Sequence, residues 1–197
     1  MTDGAPHPGP YRTAEVRWFR PGPVPDAVAA WFDALGGPVE TDARTDRYLG
    51  GTGDGLGLKV REGRVEAKRL EGPAGPFRAG RSAAEAETWT KWLFPADGDP
   101  APPGWVEVRK RRRQRRVLTA GGSCAVELSE VEAAPPGAGA GGAVWWSVCL
   151  EASGPDAEAR RAALDRAGDA WLDRDDAPAL AAEDAQSYPA WLGRLAP

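Results

Sequence analysis

The chain has 197 residues, of which 42% are hydrophobic and 27% charged, so it can bury a core in one large domain or two small ones. Its net charge of −4 disfavours non-specific binding of nucleic acids or membrane surfaces by the chain as a whole. Because His7 is the single histidine, the composition also argues against a catalytic triad, a histidine general base and a histidine-based zinc site.

The N-terminal segment is rich in proline and glycine, and we expect a disordered tail over residues 1–12 followed by one domain over residues 13–197. The segment has no basic stretch leading into an apolar one, and no apolar run is long enough to span a membrane. These features favour a cytoplasmic location, in which Cys124 and Cys149 would stay reduced within predicted strands.

The first half of the chain predicts strands around one helix. Residues 14–19 alternate between polar and apolar side chains, as in a strand. Residues 24–37 carry apolar side chains at helical spacing and end in two glycines, which predicts a helix. Residues 46–50 and the hairpin over 55–70 then predict three strands joined by glycine-rich turns.

A second helix is predicted over residues 82–94. Ser82 and Glu85 match a capping box, and Trp89, Trp92 and Leu93 form an apolar stripe. Pro95 would end this helix.

The second half of the chain predicts three more strands, over residues 105–118, 123–132 and 143–154. A long helix follows Pro155, and short helical pieces end the chain. Because successive strands are joined by short connections, we expect antiparallel pairing in one α+β domain.

Each predicted strand has an apolar face and an ionic face. The ionic faces hold Glu15 and Arg17, then Lys59, Arg61, Glu66 and Lys68, then Glu107, Arg109, Arg111 and Arg113, and finally Glu127 and Glu151. Alternation alone favours a sheet with one solvated side. The alternative is a closed barrel with an ionic interior, whose apolar outside is covered by helices.

The density of arginine favours the closed barrel. Residues 109–116 include seven basic side chains, and like charges along one strand repel each other unless carboxylates or a polyanion neutralise them. In a closed barrel these side chains would converge on one axis. Such a lumen would hold a polyphosphate with bound Mg²⁺, since guanidinium groups bind phosphate oxygens and carboxylates bind the metal.

Three segments, in this order, resemble CYTH domains, the triphosphate tunnel metalloenzymes. They are TDRYLGGTGDGLGLKVREGRVEAKRLEG at 45–72, VELSEVE with WWSVCLEASG between 126 and 154, and SYPAWL at 187–192. The similarity runs from about residue 14 to the end. It implies a closed antiparallel eight-stranded β-barrel, or tunnel, with amphipathic helices packed outside. Members of that family cleave or cyclise triphosphates with Mg²⁺ or Mn²⁺.

The resemblance also implies roles for individual residues. Catalysis is expected from Glu15 and Glu127, and metal binding from Glu15, Glu127 and Glu151. Phosphate binding is expected from Lys59, Arg61, Lys68, Arg109, Arg111 and Arg113.

The first strand departs from the family pattern Glu-x-Glu-x-Lys. Here the matching residues are Glu15, Arg17 and Phe19, so one carboxylate is replaced by a guanidinium group and the lysine is lost. This exchange turns a metal ligand into a phosphate ligand, which favours anion binding over metal-assisted catalysis.

Several functions therefore remain open on the sequence. One is a metal-dependent triphosphatase that uses Mg²⁺ or Mn²⁺, and another is a catalytically degenerate barrel that binds a small phosphorylated molecule. A third is a protein-interaction module with the arginine-rich strand on its outside. RNA binding through the same arginines is disfavoured by the overall charge and by the absence of a recognisable nucleic-acid-binding fold.

Overall fold

The computed structural model describes residues 10–61, 63–96, 105–134 and 142–195. These residues form eight strands, three α-helices and one 3₁₀ turn. In chain order they are β1 (Tyr11–Pro21), α1 (Asp26–Ala34), β2 (Glu40–Tyr48), β3 (Leu56–Arg61), β4 (Arg64–Ala79), β5 (Ser82–Pro95), β6 (Val106–Thr119), β7 (Gly122–Ala134), β8 (Ala143–Ser153), α2 (Ala157–Trp171), the 3₁₀ turn (Ala182–Asp184) and α3 (Tyr188–Leu195).

The strands close into a barrel in the order β1-β5-β4-β3-β2-β6-β7-β8. Every pair of neighbouring strands is antiparallel, including the β1–β8 pair that completes the ring. The predicted fold class is therefore confirmed. The predicted tail extends too far, since β1 already begins at Tyr11, and residues 1–9 of that tail lie outside the described residues.

The predicted helix over residues 82–94 is wrong, because this segment is strand β5. Its backbone pairs with β1 on one side and β4 on the other. Ser82 caps no helix: its hydroxyl donates to Pro178 O and accepts from the Leu180 amide. The hydrogen-bonded ladders on both edges of β5 outweigh the local helical signals. This strand raises the number of strands from the seven predicted from local patterns to eight.

Helices α1 and α2 cover the apolar outside of the barrel. Trp31 and Phe32 of α1 and Leu164 of α2 pack in one cluster with outward-facing residues of β1, β7 and β8. Gly168 lets α2 approach the sheet closely, since a Cβ there would lie 2.8 Å from the ring of Phe77. No helix among the described residues has the length and apolar character needed to cross a membrane.

Helix α3 enters one end of the barrel and closes it. Trp191 and Leu192 pack with Phe19, Tyr48 and inward-facing apolar residues of β6 and β7. The ring of Trp191 stacks on that of Phe19 at 4.6 Å, with 3° between the planes. This apolar layer, hereafter the floor, fills the barrel end at which β1 and β2 finish.

We expect Trp191→Ala to lower the free energy of unfolding by about 3–5 kcal/mol, because it empties the centre of the floor. Urea unfolding followed by circular dichroism measures the change. Leu118→Ala is the matched control, since Leu118 is 79% exposed and its truncation leaves no cavity. Equal losses in the two variants would contradict the role given to the floor.

Candidate functional site

A cavity of about 260 Å³ lies inside the barrel above the floor. Nine basic side chains line it: Arg17, Arg44, Lys59, Arg61, Lys68, Lys91, Lys110, Arg112 and Arg116. Four carboxylates line it as well: Glu15, Glu66, Glu127 and Glu151. The volume is just below the ~300–1,000 Å³ of pockets for drug-sized ligands, so the cavity suits a small and strongly anionic molecule.

The cavity is closed by α3 and opens at the opposite end. Ser187, Tyr188 and Pro189 line its closed end, with the floor behind them. Side-chain exposure rises from 3% at Lys110 to 26% at Lys91. A ligand would therefore enter from the end of the barrel that lies away from α3.

Six of the nine predicted site residues lie together on the cavity wall. They are Glu15, Lys59, Arg61, Lys68, Glu127 and Glu151. Antiparallel pairing produces this convergence, since Lys59 lies opposite Glu66 in the β3–β4 ladder and Glu15 lies opposite Glu151 in the β1–β8 ladder. Partners across a ladder share a face of the sheet.

The other three, Arg109, Arg111 and Arg113, lie on the outside of the barrel, so their predicted placement in the lumen is corrected. Arg111 is 82% exposed and lies 3.5 Å from a carboxylate oxygen of Glu130. Arg109 lies 3.7 Å from Glu132, and Arg113 forms an ion pair with Asp33 of α1. Each of these arginines thus has a carboxylate partner on the outer surface.

The floor explains why β6 turns Lys110 and Arg112 into the barrel, and not the predicted face with Arg109, Arg111 and Arg113. Val108 points into the barrel and packs in the floor, although an apolar residue on this strand was expected to face the outer helices. Because side chains alternate along a strand, Lys110 and Arg112 follow Val108 into the lumen. The apolar C-terminal segment SYPAWL was the signal that one barrel end would be filled by protein.

Sequence reasoning also missed cavity residues on β2 and β5. Arg44 was missed because β2 begins at Glu40, six residues before the predicted strand. Trp89 and Lys91 were missed because their segment was predicted as a helix, and the Trp89 indole donates to Glu87 at 2.9 Å. The alternation of Glu87, Trp89 and Lys91 with Thr88 and Thr90 was the available signal for a strand.

Arg17, Lys110 and Glu127 are buried in the cavity wall, and together with the partly exposed Arg112 they form one ionic group, hereafter the deep cluster. Glu127 accepts hydrogen bonds of 3.0 Å from Arg17 and from the hydroxyl of Ser129. Its carboxylate also lies 3.7 Å from Lys110 and 3.6 Å from Arg112. Burial acts to raise the pKa of Glu127, but the Lys110, Arg17 and Arg112 charges outweigh it and hold that pKa well below its usual range.

A second ionic group lies nearer the open end. The Lys68 ammonium lies 2.5 Å from Glu15 and 3.9 Å from Glu151, and Lys91 also lies 3.9 Å from Glu151. Burial acts to lower the pKa of Lys68, but Glu15 and Glu151 outweigh burial and raise it. Lys68 therefore stays protonated and neutralises the carboxylates around it.

The three carboxylates expected to bind a metal ion are instead held by basic side chains. Glu15 and Glu151 contact Lys68, and Glu127 contacts Arg17. Within the described parts of the chain, no group of three or more His, Cys, Asp or Glu side chains is placed to hold a metal ion. These residues do not fit a resident Mg²⁺ or Mn²⁺.

No family model, no curated protein and no solved structure matches this chain. The structure itself establishes a closed eight-stranded antiparallel barrel with a cation-rich interior.

Lys110 is the deep-cluster residue whose charge depends on pH near neutrality. It is buried, and burial lowers its pKa to about 8. Glu127 opposes this shift, whereas Arg17 and Arg44 reinforce it. Its ammonium group also lies 4.4 Å from the centre of the Tyr188 ring.

We expect the free energy of unfolding of the wild type, minus that of Lys110→Met, to rise from about pH 8 towards pH 10.5. In that window unfolded Lys110 keeps its proton, with an ordinary pKa of 10.5, whereas folded Lys110 has lost it. The unfolded state then binds more protons, so the wild type gains at most about 1.4 kcal/mol per pH unit relative to the variant. Urea unfolding at pH 7, 8, 9 and 10 measures this gain, and a flat difference above pH 8 would contradict it.

Proposed function

We propose that this protein binds a triphosphate or a related small phosphorylated compound in the barrel cavity, as a divergent relative of the CYTH domains that its sequence resembles. The observation that carries the proposal is the convergence of nine basic side chains and four carboxylates on one small cavity. Asp42 and Asp46 also pair with Arg44, Arg61 and Arg112, so the nine basic side chains face six carboxylates among the described residues. The remaining excess of cations calls for anionic compensation, because charges removed from water are costly unless they are paired.

A phosphate chain fits this cavity better than other anions do. It carries several charges in a small volume, and guanidinium groups bind its oxygens in a bidentate manner. Arg61 and Arg112 present such groups at the wall, where each also lies within 3.7 Å of two carboxylates, and Lys59 and Lys110 add ammonium charges. An RNA strand is favoured less, since the exposed arginines of β6 lie on the outer surface beside Glu130, Glu132 and Asp33 and do not converge on one cavity.

Binding without a resident metal is favoured over metal-dependent hydrolysis. Arg17 stands where the family pattern has a glutamate, and it donates to Glu127 at 3.0 Å. Hydrolysis stays as the second candidate, because Glu15 and Glu151 share the cavity with the phosphate-binding cations. In that case the enzyme would be a metal-dependent triphosphatase, and the Mg²⁺ or Mn²⁺ would enter bound to the substrate.

Arg112→Met is expected to weaken tripolyphosphate binding at least about tenfold, because a hydrogen bond to a charged group contributes about 1.5–3 kcal/mol. Calorimetry in EDTA at 150 mM salt measures the affinity. Arg111→Met is the matched control: it removes the same charge from the adjacent residue, on the outer face of the same strand. Its affinity is expected to stay within about twofold of the wild type.

Other outcomes would favour the alternative functions. Tight binding of RNA without a 5′-triphosphate, lost in Arg111→Met, would indicate an RNA-binding surface. Absence of both binding and thermal stabilisation by tripolyphosphate would overturn the proposal and favour a protein-interaction role. Phosphate release from tripolyphosphate, ATP or thiamine triphosphate with Mg²⁺ or Mn²⁺, lost in Glu15→Gln, would show catalysis.

A further inference from the structure

Glu127 already occupies the position that an anion would take at the deep end of the cavity. Its two carboxylate oxygens face Arg17, Lys110 and Arg112 at 3.0–3.7 Å. A phosphoryl group that reached this depth would need the same three cations. Glu127 and the ligand would therefore compete for the same cations of the deep cluster.

The other cavity carboxylates are placed differently. Glu66 contacts Lys59 at 2.9 Å and Arg61 at 3.7 Å, and Glu15 contacts Lys68. Glu151 contacts Lys68 and Lys91, both at 3.9 Å. In the described part of the chain these three carboxylates are each paired with one or two cations, whereas Glu127 faces three.

The position of Glu127 is fixed by the fold. It is 7% exposed, and the hydroxyl of fully buried Ser129 donates to it at 3.0 Å. Tyr188 packs against the same cluster from α3, with the guanidinium of Arg17 4.8 Å from its ring centre and the ammonium of Lys110 at 4.4 Å. The carboxylate therefore cannot turn away from the cations without disturbing the closed end of the cavity.

We propose that Glu127 is a built-in competitor for the anion site, which limits affinity by holding Arg17 and Lys110, and by sharing Arg112 with Asp42, in the absence of ligand. The inference rests on the proposed binding of a phosphorylated compound. It gives Glu127 a role opposite to that of a metal ligand or catalytic base, whose removal would weaken binding or turnover. Removing the Glu127 charge strengthens binding instead, because the ligand no longer shares the cations or meets the repulsion of the carboxylate.

Calorimetry with tripolyphosphate in EDTA at pH 7 tests this role, using the wild type, Glu127→Gln and Glu66→Gln. Glutamine keeps the shape of Glu127 and can still accept from Arg17 and Ser129. Both variants remove one negative charge from the same cavity, so they share any general change in electrostatic field. We expect Glu127→Gln to bind at least about tenfold more tightly than the wild type, and Glu66→Gln to stay within about threefold.

Glu127→Asp keeps the charge but withdraws the carboxylate by one methylene, and it decides the question if Glu127→Gln does not fold. We expect Glu127→Asp to bind tripolyphosphate at least about threefold more tightly than the wild type. Unchanged or weaker binding in the folded variants would overturn the inference, as would equal tightening in Glu127→Gln and Glu66→Gln. If the wild type and all variants fail to bind tripolyphosphate, the proposed function itself is wrong.

Discussion

The rest of this structure depends on the pairing of charges that a closed barrel removes from water. When the eight strands form a ring, their ionic faces meet around one axis, and every buried ammonium or guanidinium group needs a nearby carboxylate. The register supplies these partners, as when Lys59 is placed opposite Glu66. Because basic residues outnumber acidic ones on the cavity wall, several cations share one carboxylate, as Arg17, Lys110 and Arg112 share Glu127. Burial, reinforced by the Arg17 and Arg44 charges, lowers the pKa of Lys110, and the same crowding of cations underlies the proposed affinity for phosphate chains.

The floor determines where this ionic interior ends. Helix α3 inserts Trp191 and Leu192 between the apolar ends of the strands, so the lumen changes from apolar to ionic along the same strand faces. Tyr188 links the two zones, since its ring stacks on Tyr48 and also contacts the Arg17 and Lys110 charges. One short helix thereby converts an expected tunnel into a pocket with one open end.

Much of the architecture could be predicted from the chain. The outer helices were visible as apolar stripes, and most strands as alternating segments. The closed eight-stranded barrel was implied by the resemblance to CYTH domains. The prediction failed at residues 82–94, where Ser82 and Glu85 imitate a helix start. There the backbone is held by β1 and β4, which are distant in sequence, and a local pattern contains no information about such partners.

The sequence by itself determined which residues share a face, because alternation along a strand is a local property of the backbone. Arg109, Arg111 and Arg113 therefore stay together, as do Lys110 and Arg112. Only the tertiary structure decided which of these two sets faces the cavity. That choice follows from the insertion of α3, which draws Val108 into the floor and turns Lys110 and Arg112 inward. The contact joins segments some eighty residues apart, so no local pattern could have specified it.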